Sequence, residues 1–207
     1  LANISAMYAV YHGAEGLKNI AKRISLLTQT LSRQLSKLGF NNQNEFYFDT
    51  ICLPVDNTAS LKRLSEEKGV NFGYDENSVL ISLDETTTIK DIQEIVAIFS
   101  ALSNSKQSSV DFEIPDVLSN IPSSLTRTSE YLSHPVFNVH HSETQMMRYI
   151  KSLENKDLSL NTSMISLSSC TMKLNAATEL IPVSWPEFNS IHPFAPNSQW
   201  EGYHQII

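Results

Sequence analysis

The chain has 207 residues, of which 41% are hydrophobic, so it can bury one or two substantial cores. Its formal net charge is −7 and its 15 lysines and arginines are scattered along the sequence, which argues against a nucleic-acid-binding surface. The sequence contains no apolar run long enough to span a membrane, and Cys52 and Cys170 lack metal-ligand spacing, so neither a membrane protein nor a metal centre is expected.

The first predicted element is a long amphipathic helix. Leucines and isoleucines recur at three- and four-residue steps over residues 15–38, and a glycine follows as a stop signal. Residues 46–53 are rich in aromatic and β-forming side chains and end before Pro54, which predicts a strand. A short helix capped near Asn57 or Thr58 comes next.

A β-hairpin and another helix follow. The strand candidates are residues 70–74 and 78–83, which are joined by a turn-forming sequence. Thr88 is placed to cap a helix whose apolar residues share one face. The order helix, strand, helix, two strands and helix predicts an α+β arrangement over residues 1–103, a small antiparallel sheet covered by helices.

A connector is predicted to separate this domain from the rest of the chain. The sequence directly after residue 103 is almost entirely small and polar, and prolines interrupt the residues beyond it, so we place the connector at residues 104–125. Residues 126–207 are expected to hold a helix at residues 142–156 and then an irregular region. Half of the chain's prolines fall at residues 182–196, which cannot form one long helix.

The most unusual local chemistry lies in the loop at residues 166–175. Its last eight residues read Ser-Ser-Cys-Thr-Met-Lys-Leu-Asn, which places hydroxyls, a thiol, an ammonium and an amide before a helix predicted to begin at Asn175. An ammonium and hydroxyls near a helix N-terminus suit an anion. The alternative is a polar turn that caps the helix, with Lys173 in solvent.

Several motifs, taken in chain order, are shared with one known family. They are AMYAVYHGAEGL at residues 6–17, ISLDETTT at 81–88, LTRT at 125–128, HPVFN at 134–138, HSET at 141–144, SCTMKLN at 169–175, WPEF at 185–188 and HPFAP at 192–196. Over nearly its whole length the chain therefore resembles the P-protein family of the glycine cleavage system, whose members depend on pyridoxal phosphate. It departs at Ser168, where the family usually has glycine, which would permit a positive φ or a close backbone approach to a ligand.

The resemblance implies an α/β protein of the fold-type-I pyridoxal-phosphate-dependent transferase class. Residues 1–103 would be the C-terminal small domain of its first half, and residues 126–207 would begin its second half. It implies a complete protein that binds pyridoxal 5'-phosphate, decarboxylates glycine and passes the aminomethyl group to the lipoyl arm of the H-protein. A further implied partner is the other half or subunit of the P-protein, in a homodimer or a heterotetramer of halves.

The resemblance also implies that this chain is an internal fragment that is inactive alone. Lys173 is the tempting candidate for the Schiff-base lysine, but the family places that lysine in a His-Lys motif, which would lie beyond Ile207. The chain is therefore expected to hold no catalytic residue. The residues expected near substrate or cofactor are Ser169, Cys170, Thr171, Lys173, Asn175, His192 and Arg127.

Other polar residues have simpler expected roles. Arg127 could bind an anion bidentately, or could form a surface or interdomain salt bridge. Among the histidines, His192 in its proline-bounded loop is the best candidate for a cleft, and His141 is expected at a helix entry. Adjacent Asp84 and Glu85 are expected to be structural, next to a helix N-terminus.

Two further interpretations stay open. The piece could be a noncatalytic scaffold or interaction module, or part of another fold-type-I pyridoxal-phosphate enzyme. Flanking sequence that completes two large pyridoxal-phosphate-type domains with the His-Lys motif would distinguish the glycine-decarboxylating enzyme from the scaffold. Other fold-type-I families do not share the run Ser-Cys-Thr-Met-Lys-Leu-Asn at residues 169–175. The expected location is the cytoplasm of a bacterium, which we prefer, or the mitochondrial matrix of a eukaryote.

Overall fold

A computed structural model of the chain describes residues 1–103, 121–157 and 177–207. They belong to two compact units, residues 1–143 and residues 144–207. The domain bounds given above, with a connector at 104–125, stay a prediction.

The first unit combines helices with a small sheet. Its regular elements are α1 (Ala2–Lys37), β1 (Thr50–Pro54), α2 (Thr58–Glu67), β2 (Gly73–Tyr74), β3 (Ser78–Ser82) and α3 (Ile89–Leu102), followed by the 3-10 turns Ser123–Leu125 and Pro135–Phe137. The chain is thus a mixed helix-and-sheet protein, as predicted.

Within the described residues, the sheet has three strands in the order β1-β3-β2, and both pairings are antiparallel. Side chains alternate along the strands, so Ile51 and Leu53 of β1 and Val79 and Ile81 of β3 face the same side and are all buried. Apolar residues of α1, α2 and α3 complete this core, with Phe99 of α3 fully buried. The predicted hairpin and the predicted helical cover of the sheet are confirmed.

Both outer strands are shorter than predicted. Residues 46–49 do not extend β1, and Phe46 and Phe48 are exposed. The residues that precede β1 in the sequence bend back and contact it. The Gln43 N–H donates to the Cys52 carbonyl at 2.8 Å, and the Cys52 N–H donates to Asn42 Oδ1 at 3.0 Å.

On the other side of the sheet, β2 begins only at Gly73, because Gly69 and Val70 close the end of α2. The Val70 N–H donates to the Ser65 carbonyl at 2.9 Å, and Gly69 has φ 72°, so these residues close the end of the helix. The prediction of a strand from residue 70 was wrong for this reason.

The first helix is longer than predicted and is broken. It runs from Ala2 and contains non-helical backbone at Gly13, where φ is 63° and ψ is −176°. Its C-terminal end agrees with the prediction, since Gly39 has φ 94° and the Phe40 N–H donates to the Leu35 carbonyl at 3.0 Å.

The described residues of the second unit, 144–157 and 177–207, form short helices and turns. They contain α4 (Glu143–Glu154), which begins at the last residue of the first unit, then α5 (Ala177–Leu180), the 3-10 turn Ile181–Ser184, α6 (Pro186–Asn189), the 3-10 turn Asn197–Gln199 and α7 (Glu201–Ile206). The predicted helix near 142–156 and the irregular proline-rich segment are confirmed. None of the helices in the described ranges combines the length and apolar character of a membrane span.

Candidate functional site

The predicted loop at 166–175 lies outside the described residues. The predicted site residues within it therefore stay predictions; they are Ser169, Cys170, Thr171, Lys173 and Asn175. The expected effect of Ser168, where the family usually has glycine, also stays a prediction.

Arg127 and His192 are described, and both are exposed. Arg127 donates from Nη1 to Ser129 Oγ at 3.1 Å, and its guanidinium carbon lies 5.3 Å from the centre of the Tyr131 ring. His192 Nδ1 accepts the Phe194 N–H at 3.1 Å, which closes a local turn. The two residues lie in different units, and their roles at a binding site stay predictions.

Metal-ligating side chains do not cluster in the part of the chain that the structure describes. Over residues 1–103, 121–157 and 177–207, no three histidine, cysteine, aspartate or glutamate side chains could hold one ion.

Family-like motifs from distant parts of the chain pack closely together at Gly13. This glycine is buried at the break in α1, and its positive φ is a conformation that other residues rarely adopt. A Cβ atom at this position would lie 2.7 Å from the Phe137 carbonyl oxygen and 2.8 Å from His141 Cε1. Both distances are too short for real atoms, so only glycine allows residues 131–141 to approach this closely. We call residues 131–141 the strap.

The strap also forms hydrogen bonds on both sides of the break. Tyr131 donates its hydroxyl to the Ala14 carbonyl at 2.7 Å, and His141 Nδ1 lies 2.7 Å from the Tyr11 carbonyl oxygen. Because a carbonyl oxygen only accepts, the proton of the second bond belongs to His141 Nδ1. This bond fixes the tautomer of His141 and joins residues 130 positions apart.

Internal hydrogen bonds fix the conformation of the strap. Leu132 has φ 51°, an unfavourable conformation for a leucine. Asn138 Nδ2 donates to the carbonyls of Leu132 at 3.1 Å and of His134 at 3.0 Å. His134 Nδ1 accepts the Val136 N–H at 3.2 Å and so caps the 3-10 turn Pro135–Phe137.

The ISLDETTT motif has a structural role, as predicted for its two carboxylates. Asp84 Oδ1 accepts the N–H groups of Thr86 and Thr87 at 2.9 and 3.1 Å. The Thr86 hydroxyl also donates to Asp84, and this bond has the largest effect on the Asp84 carboxyl. Together with the two N–H bonds, it holds the pKa of that carboxyl below its ordinary value of 3.8, although burial acts in the opposite direction. The Asp84 carboxylate thereby fixes the turn before α3.

The same turn is tied to α1. Arg23 donates to the carbonyls of Glu85 and Thr87 at 3.0 and 2.6 Å, and the Tyr8 hydroxyl donates to Glu85 Oε1 at 3.3 Å. Partial burial, with the negative charge of Glu85, raises the pKa of Tyr8 above its ordinary value of 10.0. Tyr8 precedes the break at Gly13 and Arg23 follows it, so both parts of α1 contact this turn.

The contact between Gly13 and the strap was not predicted from the sequence. His141 was expected only at a helix entry, and it does precede α4, but its ring reaches back to α1. The one local signal was a glycine within an apolar helical pattern, which indicates a close approach by another part of the chain.

Comparisons with known proteins agree with the motifs. Residues 1–99 match the family model described as glycine cleavage system P-protein. The chain is 53% identical over 204 residues to a glycine dehydrogenase (decarboxylating) of Flavobacterium johnsoniae, an alignment that covers 98% of the chain. It is 49% identical over 208 residues to that of Photobacterium profundum and 49% identical over 207 residues to that of Deinococcus radiodurans, each covering 100% of the chain.

The relatives are much longer than this chain. The alignments cover 21% of the Flavobacterium johnsoniae protein and 22% of the Photobacterium profundum protein. The chain thus spans about a fifth of the length of the curated relatives that it matches.

Proposed function

Because the chain is similar along nearly its whole length to P-proteins of the glycine cleavage system, we propose that it is part of a glycine dehydrogenase (decarboxylating). The complete protein would decarboxylate glycine with pyridoxal 5'-phosphate and transfer the aminomethyl group to the lipoyl arm of the H-protein. The observation that carries the proposal is the 53% identity to such a protein over 98% of the chain.

Within that protein, the helix-covered sheet of the first unit would be the small domain of a fold-type-I transferase half. Its three antiparallel strands and the cover of α1, α2 and α3 suit that role. The predicted loop at 166–175 would form a wall of the substrate and cofactor site, with His192 and Arg127 as further contacts.

The described residues do not fit the covalent site of the cofactor. A Schiff-base lysine works in a shielded pocket, where desolvation lowers its pKa. All lysines within residues 1–103, 121–157 and 177–207 are exposed. None of these lysines therefore fits that site. From the family resemblance we propose that the cofactor lysine lies elsewhere in the complete protein and that this chain would be inactive alone.

Its partners would be glycine, the lipoylated H-protein and the other half or subunit of the P-protein. The similarity to bacterial proteins supports a bacterial cytoplasmic location.

Replacement of Lys173 in the complete protein tests both the function and the loop. Lys173→Ala should lower the glycine-dependent exchange of labelled carbon dioxide about tenfold or more, because a charge-assisted hydrogen bond to an anion would be lost. The visible absorbance of the lysine-bound cofactor should persist, with cofactor content measured independently.

The matched control is Lys156→Ala, at an exposed lysine after α4, which should leave the exchange rate unchanged. An unchanged rate in Lys173→Ala would remove Lys173 from the proposed site. Loss of the absorbance band at full cofactor content would instead identify Lys173 as the Schiff-base lysine. A wild-type protein with no glycine-dependent exchange would contradict the proposed function and favour the scaffold interpretation.

A further inference from the structure

The break in α1 and the strap fit each other closely. Gly13 has no side chain, and the Phe137 carbonyl oxygen and the His141 ring occupy the positions that a Cβ atom would contact. The φ of 63° at Gly13 also turns the chain where a continuous helix would pass. The break thus provides a recess in which the strap lies.

Two directional hydrogen bonds hold the strap there. Tyr131 and His141, at the two ends of the strap, donate to the carbonyls of Ala14 and Tyr11, which lie on opposite sides of Gly13. Both acceptors are backbone atoms, so their positions depend on the course of α1 and not on a side-chain rotamer. The position of the strap is therefore fixed at both of its ends.

Contacts within the strap give it the shape that docking requires. The unfavourable φ of 51° at Leu132 persists only where surrounding contacts maintain it. Asn138, which donates to the Leu132 carbonyl, supplies such a contact within the strap. A segment that holds a strained conformation by its own hydrogen bonds is preorganised for one docked geometry.

We propose that His141 is a positioning residue, whose Nδ1–H locks the strap onto the break at Gly13, and that the locked strap is the active conformation of the complete protein. The second part rests on the proposed function. Along the chain the strap leads directly into α4 and then to residues 166–175, the loop proposed to contact substrate. The part of the sequence that carries this loop therefore begins shortly after the strap.

Asparagine and glutamine provide a matched pair of replacements for His141. The amide nitrogen of asparagine lies the same number of bonds from Cβ as Nδ1 of histidine. The amide nitrogen of glutamine lies the same number of bonds from Cβ as Nε2 of histidine. His141→Asn should keep the donor to the Tyr11 carbonyl, whereas His141→Gln and His141→Ala should lose it. Because the His141 side chain lies outside the hydrophobic core, all three variants should fold.

Hydrogen–deuterium exchange of the complete protein measures the lock. Peptides covering residues 8–16 and 131–141 should exchange about fivefold faster in His141→Ala and His141→Gln, as expected for the loss of one hydrogen bond, and at the wild-type rate in His141→Asn. Gly13→Ala should give the same fast exchange by steric exclusion of the strap. Exchange in His141→Asn as fast as in His141→Ala, or wild-type exchange in all three His141 variants, would overturn the lock.

Turnover in the same variants tests the second part. We expect kcat for glycine-dependent carbon dioxide exchange to fall by the same factor in His141→Ala and His141→Gln, with KM for glycine unchanged, and to recover in His141→Asn. Faster hydrogen exchange with wild-type kcat would show that the lock has no effect on turnover and would overturn this part. A wild-type protein without glycine-dependent activity would overturn both the effect of the lock on turnover and the proposed function. The hydrogen-exchange experiment would still show whether His141 locks the strap onto α1.

Discussion

Two side chains determine where α3 begins. Thr88 Oγ1 accepts the Asp91 N–H at 3.3 Å, and Asp91 Oδ2 accepts the Thr88 N–H at 2.7 Å, which forms a complete capping box. The Thr88 hydroxyl also donates to Asp91 Oδ2 at 2.7 Å. Both hydrogen bonds from Thr88 hold the pKa of Asp91 below its ordinary value of 3.8. The bond from the Thr88 hydroxyl has the larger effect, and the bond from the Thr88 N–H comes next. The ionised form of Asp91 therefore strengthens the cap.

Asp91→Asn should destabilise the chain in a pH-dependent way. Because the pKa of Asp91 is lower in the folded state, the carboxylate stabilises the fold fully above the unfolded value of 3.8, and this stabilisation is lost as pH falls through the folded pKa. Thermal unfolding followed by circular dichroism should show a lower Tm for the variant near neutral pH. The difference should close below pH 3.8. A Tm difference that stays constant into strong acid would contradict this account.

The matched control for this experiment is Glu94→Gln in the same helix. Glu94 pairs with Lys90 at 3.6 Å on an exposed face, and such pairs contribute little to stability. Glu94→Gln should therefore change Tm near neutral pH less than Asp91→Asn does.

Residue-scale predictions from the sequence succeeded where the partner is nearby in the chain. Thr88 and Asn57 were recognised as caps, and both accept N–H groups three residues ahead. The contact between His141 and Tyr11 spans 130 positions, and only the folded chain brings its atoms together. For that reason the sequence placed His141 at a helix entry but did not reveal its hydrogen bond to α1.

At the scale of elements, residues that precede β1 form hydrogen bonds with its Cys52 backbone groups, on the side of the strand that faces away from β3. Asn42 Oδ1 accepts the Cys52 N–H at 3.0 Å, and Asn42 Nδ2 donates to the Asn44 carbonyl at 3.1 Å. Asn42→Ala would leave the part-buried Cys52 N–H without this acceptor, at a cost of about 1 kcal/mol. Asn42→Asp keeps a carboxylate oxygen in place of the amide oxygen.

Urea unfolding of the chain would measure this cost. We expect a lower midpoint for Asn42→Ala and a midpoint near wild type for Asn42→Asp. Equal losses in both variants would indicate that the Asn42 amide nitrogen, and not its oxygen, supports β1.

Periodicity predicted the existence and order of the elements better than their ends. The three-to-four-residue apolar repeat located α1, α2 and α3, and strand-type composition located the hairpin. The predicted start of β1 was wrong, since residues 46–49 are not strand. The predicted length of β2 was also wrong, because the Val70 N–H donates to the Ser65 carbonyl at the end of α2. That competing hydrogen bond has no signature in the strand sequence itself.

At the scale of the whole molecule, residues 1–103 should fold without the rest of the chain. All fifteen buried apolar residues of the core cluster lie within this range, from Leu27 to Phe99. The described part of the second unit has no buried residue, and Val183 and Phe194 are 66% and 90% exposed. Its apolar side chains lack the burial that stabilises an isolated domain.

Separate expression of the two parts tests this expectation. Residues 1–103 should unfold in one cooperative thermal transition, whereas residues 144–207 should show none. A cooperative transition in residues 144–207 would show that this unit has a core of its own. Failure of residues 1–103 to fold would show that the strap or the chain beyond it is required.

The motifs along the chain indicated a resemblance to one family, and the comparisons confirm that similarity. Motifs are compared residue by residue along the sequence, so this resemblance could be seen without the fold. The proposed site depends instead on residues distant in the chain, so Lys173 and its neighbours stay predictions to be tested by substitution.

The arrangement of the sheet has a consequence for recognition. Alternate residues of β1 direct their backbone N–H and C=O groups away from β3. On that side, the Cys52 N–H donates to Asn42 and the Cys52 carbonyl accepts from Gln43. Pro54, as a proline, has no N–H to donate. At the opposite margin, β2 is only two residues long. A peptide strand added at the β1 margin would therefore have to displace Asn42 and Gln43 from Cys52, and it could not receive an N–H from Pro54.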